Sequence, residues 1–95
     1  MICFLAQFAP EQPCNGRLVK VHLIPRHLML KERLPDSYRT WVWACGGIMG
    51  NAGHHGQLDH SRTLKVPRHM LPAEVEAYAE EHGIGWWLTR EYGDA

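Results

Sequence analysis

Trp41-Val42-Trp43-Ala44-Cys45-Gly46-Gly47-Ile48-Met49-Gly50-Asn51-Ala52-Gly53-His54-His55-Gly56-Gln57-Leu58-Asp59-His60 is the stretch whose reading decides the fold. From Thr40 to Ala44 the chain is aromatic and β-branched, which predicts a short strand delivered directly into Cys45 and a glycine-rich bend. Beyond the bend, three histidines and one aspartate fall within seven residues. Imidazole and carboxylate groups cost free energy to bury unless paired or metal-bound, so this density points to a metal site. The run from His54 towards Arg62 has the length of two helical turns, and His55 and Asp59, four apart, share a face there.

Upstream, residues 17–24 alternate imperfectly between polar and apolar, are rich in β-branched side chains, and stop at Pro25. This predicts a first strand, with His22 near its end, paired antiparallel with the second. Residues 1–16 read as irregular, Pro10, Pro13 and the Asn15-Gly16 turn signal placing Cys14 at the mouth of a loop. Residues 26–39 are basic and broken by Pro35, and predict a loop with one helical turn around 27–32. Downstream, Leu71-Pro72 opens a helix with Glu74 and Glu76 in its first turn, an apolar stripe of Leu71, Val75, Tyr78 and Ala79, and Gly83 as its stop. Residues 84–92, with Trp86, Trp87 and Leu88, fold back over the core. The expectation is an α+β protein: a small ββα core over 17–62, an irregular segment over 1–16, and a C-terminal helical extension over 71–92, in a single domain of 95 residues.

A chain of this size buries a modest fraction of its surface, so a structural metal contributes a useful share of stability. Three cysteines, Cys3, Cys14 and Cys45, cannot all pair within one chain, and no stretch reads as a signal peptide or membrane span. Reduced thiols in a cytoplasmic protein, available to zinc, are the expectation. The net charge is zero but unevenly spread. Residues 17–68 hold nine of the ten Lys and Arg against three acids, whereas from His69 onward one base meets six acids. A basic middle that also carries the candidate ligands suggests an anionic partner such as nucleic acid. Trp41 and Trp43 read as core and wall of the strand pair rather than as platforms for bases, and the acidic helix with Trp86 and Trp87 offers a face for a homodimer.

Strand, loop, strand, glycine turn and helix is also the element order of a ββα-metal nuclease. Val21-His22-Leu23-Ile24-Pro25-Arg26 resembles the first box of the HNH, or His-Me finger, endonucleases, where a strand-borne His is followed three residues later by Pro. The segment from Trp41 through Cys45 to Asp59 is similar to that family's cysteine-histidine box, with His54 where a second cysteine often stands. The small HNH-type proteins of bacteriophages and their bacterial hosts are the nearest likeness, over roughly residues 14–60.

The resemblance implies hydrolysis of phosphodiester bonds in DNA, with RNA also open as substrate. His22 would be the general base, and Thr40 stands where the family carries the asparagine that orients it. His55 and Asp59 would hold a divalent cation, Mg²⁺ or Mn²⁺ or alternatively Zn²⁺, with His60 substituting if the helix register shifts by one. Val21 occupies a position that usually supplies another ligand. Arg26 would hold a phosphate, with Lys31, Arg33, Arg39, Arg62, Lys65 and Arg68 completing the basic surface. Some relatives carry a structural zinc between two knuckles; here Cys3, Cys14, Cys45 and His54 would form that set, although ten residues separate the first pair and eight the second, more than a knuckle normally has. The alternative expectation is a catalytically degenerate zinc-binding ββα module that binds nucleic acid or a partner protein without cleavage.

Overall fold

The computed structural model describes residues 2–46, 53–59 and 62–94. The glycine bend from Gly47 to Ala52, with Asn51, and His60 lie outside the described residues. The chain forms two compact units, each assembled from two separate stretches: residues 1–21 with 42–65, and residues 22–41 with 66–95.

The first unit contains all of the strand pair but its end residues His22 and Trp41. β1 (Arg17–His22) and β2 (Trp41–Gly46) form a two-stranded sheet. They run antiparallel, since a Cβ on Gly16, just before β1, would lie 3.1 Å from the carbonyl oxygen of Gly46, which ends β2. Val21, Ala44 and Cys45 are buried with Leu5, Ala9 and Leu64. The N-terminal segment is more ordered than its prolines predict: Phe4–Phe8 is a 3-10 turn that buries Leu5 completely and sets the Phe4 and Phe8 rings edge to face at 5.6 Å.

That other unit starts where β1 ends. β1 stops two residues short of the predicted Ile24 because the amides of Leu23 and Ile24 both donate to the Thr40 carbonyl, at 2.8 and 3.2 Å, and Pro25 has no N–H to extend a ladder. The helical turn expected near residue 27 is α1 (Arg26–Lys31), which buries Leu28 and Met29. Its end is marked by Arg33, a non-glycine residue held at φ 55°. Thr40 does not open the second strand as expected. It closes a 3-10 turn, Tyr38–Thr40, capped by the Ser37 hydroxyl, which accepts from the Arg39 amide at 3.1 Å.

The ligand-bearing helix is α2 (Gly53–Asp59), in the first unit, and its Gln57 carbonyl accepts from the Leu64 amide at 3.1 Å. In the second unit α3 (Ala73–Glu81) matches the predicted helix, with Val75, Tyr78 and Ala79 buried and Gly83 turning at φ 70°. The stretch after it is itself a helix, α4 (Gly85–Tyr92), burying Trp87 and Leu88 and leaving Trp86 exposed. The Tyr78 hydroxyl donates to the Pro35 carbonyl at 2.6 Å and that of Tyr92 to the Leu23 carbonyl at 2.5 Å, so buried and half-buried phenols are satisfied by loop backbone. The architecture is α+β, with the ββα arrangement formed by β1, β2 and α2.

Candidate metal centre

Four donors from distant parts of the sequence converge in the first unit. Cys3 leads into the first 3-10 turn, Cys14 lies in the loop before β1, Cys45 is the next-to-last residue of β2, and His54 is the second residue of α2. One ligand atom from each lies within 4.8 Å of all the others. His54 Nδ1 stands 3.0 Å from Cys45 Sγ, 3.6 Å from Cys3 Sγ and 3.7 Å from Cys14 Sγ. Donors arranged tetrahedrally around zinc, with Zn–S about 2.3 Å and Zn–N about 2.0 Å, stand roughly 3.5–3.8 Å apart. Two of the three sulfur–nitrogen separations fall in that window, and the third is shorter. Three thiols and one imidazole are a standard donor set for structural zinc, so the residues fit the ion.

The surroundings of His54 strengthen that fit. The residue is 1% exposed, and Nε2 lies 3.1 Å from the Gln12 carbonyl and 3.3 Å from that of Ala9. Carbonyls only accept, so Nε2 carries the proton and donates, and the Nδ1 lone pair is left facing the three sulfurs. Metal-bound histidines are fixed this way by an outer hydrogen bond. The sulfurs are prepared as well. The Cys45 amide donates to Cys3 Sγ and the His54 amide to Cys45 Sγ, each at 3.3 Å.

Burial pushes the Cys45 thiol up, but hydrogen bonds from the amides of His54 and Asn15, with one from Cys14, bring it down to about 7. Cys14 is pushed up to about 11, first by its hydrogen bond to Cys45, then by burial and by Cys3. Like charges this close cannot all ionise without a cation among them. All three cysteines are free thiols.

Glycine makes the approach possible. Gly53, at φ 60°, opens α2 so close to the loop and strand that a Cβ there would stand 2.5 Å from the Asn15 carbonyl oxygen and 2.7 Å from that of Cys45. The intervals that looked too long for knuckles also have an explanation. The ten residues between Cys3 and Cys14 contain the 3-10 turn and the carbonyls of Ala9 and Gln12 that orient His54. Cys3, placed near a terminus where chains commonly fray, is 6% exposed.

The remaining candidates are distributed as follows. His55 and Asp59 do share a face of α2, His55 Nε2 lying 2.8 Å from Asp59 Oδ2, while His55 Nδ1 is buried with no hydrogen-bond partner. His22, half-buried, ends β1 and belongs to the second unit, whereas His55 and Asp59 belong to the first. Thr40, expected to orient the base, is fully buried, and its hydroxyl donates to the Ser37 carbonyl at 2.8 Å.

Two of the basic residues expected to hold phosphate are paired with carboxylates. Arg39 is held by Glu81 at 2.5 Å. Arg68 is fully engaged, Nε and Nη2 on Glu76 at 2.6 and 3.0 Å and Nη1 on Thr89 and the Gly93 carbonyl. Arg26, Lys31 and Arg33 are exposed in the second unit, and Arg62 and Lys65 in the first.

Folding also redistributes the charge seen along the sequence. The first unit holds four bases (Arg17, Lys20, Arg62, Lys65) against two acids (Glu11, Asp59), and the second holds six bases against eight acids. The positive excess therefore lies with the thiol cluster. Sequence reading passed over Arg17 and Lys20, which line an open depression of about 410 Å³ with Leu18, Val19, Trp43 and His55. Trp41 and Trp43, two apart on a strand, share a face, and both are half-buried. Comparison with family models, curated proteins and solved structures found no match.

Proposed function

We propose that this chain is a zinc-stabilised ββα module that binds nucleic acid without cutting it. The observation that carries the reading is the closed set of Cys3, Cys14, Cys45 and His54, with His54 Nε2 anchored on two carbonyls. Four protein donors fill a tetrahedral zinc, whereas a catalytic zinc keeps a position for water or substrate. When bound, the ion cross-links the N-terminal segment, β2 and α2 and neutralises the thiolates. The nucleic-acid half of the reading is supported by the positive excess of the first unit.

The HNH resemblance would assign cleavage to His22 with His55 and Asp59, none of which belongs to the four-donor set. Among the described residues no further group of three or more metal-ligating side chains converges. No helix among them is long and apolar enough to cross a membrane.

The test is a paired assay on the purified chain. Metal analysis is expected to return one zinc per chain, and labelled oligonucleotides to bind with an affinity that falls steeply with salt. Supercoiled plasmid is expected to stay intact in Mg²⁺ or Mn²⁺. Nicking that disappears in His22→Ala while zinc is retained would replace this reading with the nuclease.

A further inference from the structure

The depression beside the strand pair has the composition of a single-strand binding site. Arg17 and Lys20 provide cations, Leu18 and Val19 an apolar floor, and Trp43 a half-buried indole. Among the described residues no carboxylate lines it. His55 closes one side, and its buried Nδ1 has no hydrogen-bond partner. A buried polar atom left without a partner is in a costly state. At about 410 Å³ the space is large enough for one nucleobase with part of its sugar-phosphate.

We infer that Arg17, Lys20, Trp43 and His55 form a subsite for single-stranded nucleic acid, in which a base stacks on Trp43 and the adjoining phosphates lie against Arg17 and Lys20. The inference rests on the nucleic-acid reading above and deepens it by naming the form of the ligand and the residues that take it. Three features favour a single strand over a duplex. An indole face can be used only by an unstacked base. Flanking cations follow a phosphate backbone without needing a groove. The apolar floor favours a ring over a hydrated ion. The reading of Trp43 as strand wall is replaced accordingly.

The test is fluorescence anisotropy of the zinc-loaded chain with labelled oligo(dT) and with a duplex of equal length. The wild type is expected to prefer the single strand at least tenfold. Arg17→Glu and Lys20→Glu are each expected to weaken oligo(dT) binding tenfold or more. Trp43→Leu is expected to do the same, with Trp43→Phe restoring most of the affinity. Zinc content of each variant reports whether the unit is folded, and Arg90→Glu, on α4 in the other unit, is the charge-matched control.

Retention of one zinc with oligo(dT) binding unchanged in Arg17→Glu and Lys20→Glu would overturn the subsite while leaving nucleic-acid binding intact. Equal affinity for duplex and single strand, insensitive to Trp43→Leu, would overturn the stacking. Absence of binding to either oligonucleotide at low salt would end the nucleic-acid reading itself.

Discussion

At the scale of single residues, His54 carries most of the chemistry, and the nitrogen it uses matters. Ligation through Nδ1 brings the ion close to the backbone, at a reach a cysteine side chain also has. His54→Cys is therefore expected to keep one zinc per chain, whereas His54→Ala and Cys45→Ser lose stoichiometric metal, measured by metal analysis after dialysis. Gly53 is the second sensitive residue. A methyl there meets two carbonyl oxygens at 2.5 and 2.7 Å, in a backbone conformation that side chains disfavour. Gly53→Ala is expected to cost on the order of 1–3 kcal/mol and to weaken zinc binding, read by denaturant titration and by competition with a chelator. In the second unit, Tyr78→Phe removes the donor to the Pro35 carbonyl and is expected to cost about 1–2 kcal/mol.

At the scale of elements, the parts legible in the sequence are those whose cues are local. The strands show through β-branched and aromatic composition, and α3 through its Pro start, acidic first turn and glycine stop. The errors fall where a distant partner decides. Thr40 has strand chemistry, but its carbonyl takes two amides from the far end of β1 and its hydroxyl caps a turn. Residues 84–92 lack the length of an obvious helix, and α4 is stabilised by burying Trp87 and Leu88 and by Arg68 reaching Thr89 and Gly93.

Ion pairs give this level its pH dependence. Hydrogen bonding to Arg39, reinforced by its charge, holds the Glu81 carboxyl below its ordinary value. A group depressed in the folded state contributes stability above its unfolded pKa and loses it as pH falls through the folded one. Glu81→Gln is therefore expected to lower stability slightly at neutral pH, where the exposed pair is formed, and to leave it unchanged in acid, where the carboxyl is protonated, so that the acid limb of the profile below about pH 4.5 is flatter in thermal melts across pH.

At the scale of the whole molecule, each unit is woven from two separate stretches of chain, and this hid part of the candidate site. Cys3, Cys14, Cys45 and His54 were all identifiable as donors by residue type, but only the fold brings a residue near the N-terminus to the start of α2. The charge pattern shows the same limit. A basic middle in the sequence divides between a first unit with a positive excess and a second in which acids outnumber bases. Arg17 and Lys20 acquire their setting beside Trp43 and His55 only there.

The second unit buries Leu23, Ile24, Leu71, Val75, Ile84 and Leu88 and holds none of the four zinc donors. Chelation is expected to abolish hydrogen-exchange protection at Cys45 and His54 while α3 and α4 keep theirs. The central claim is tested most directly by X-ray absorption at the zinc edge of the purified chain. It predicts one zinc bound by three sulfurs at about 2.3 Å and one nitrogen at about 2.0 Å. A chain that binds no stoichiometric metal when reduced, or a zinc surrounded by oxygen and nitrogen alone, would contradict it.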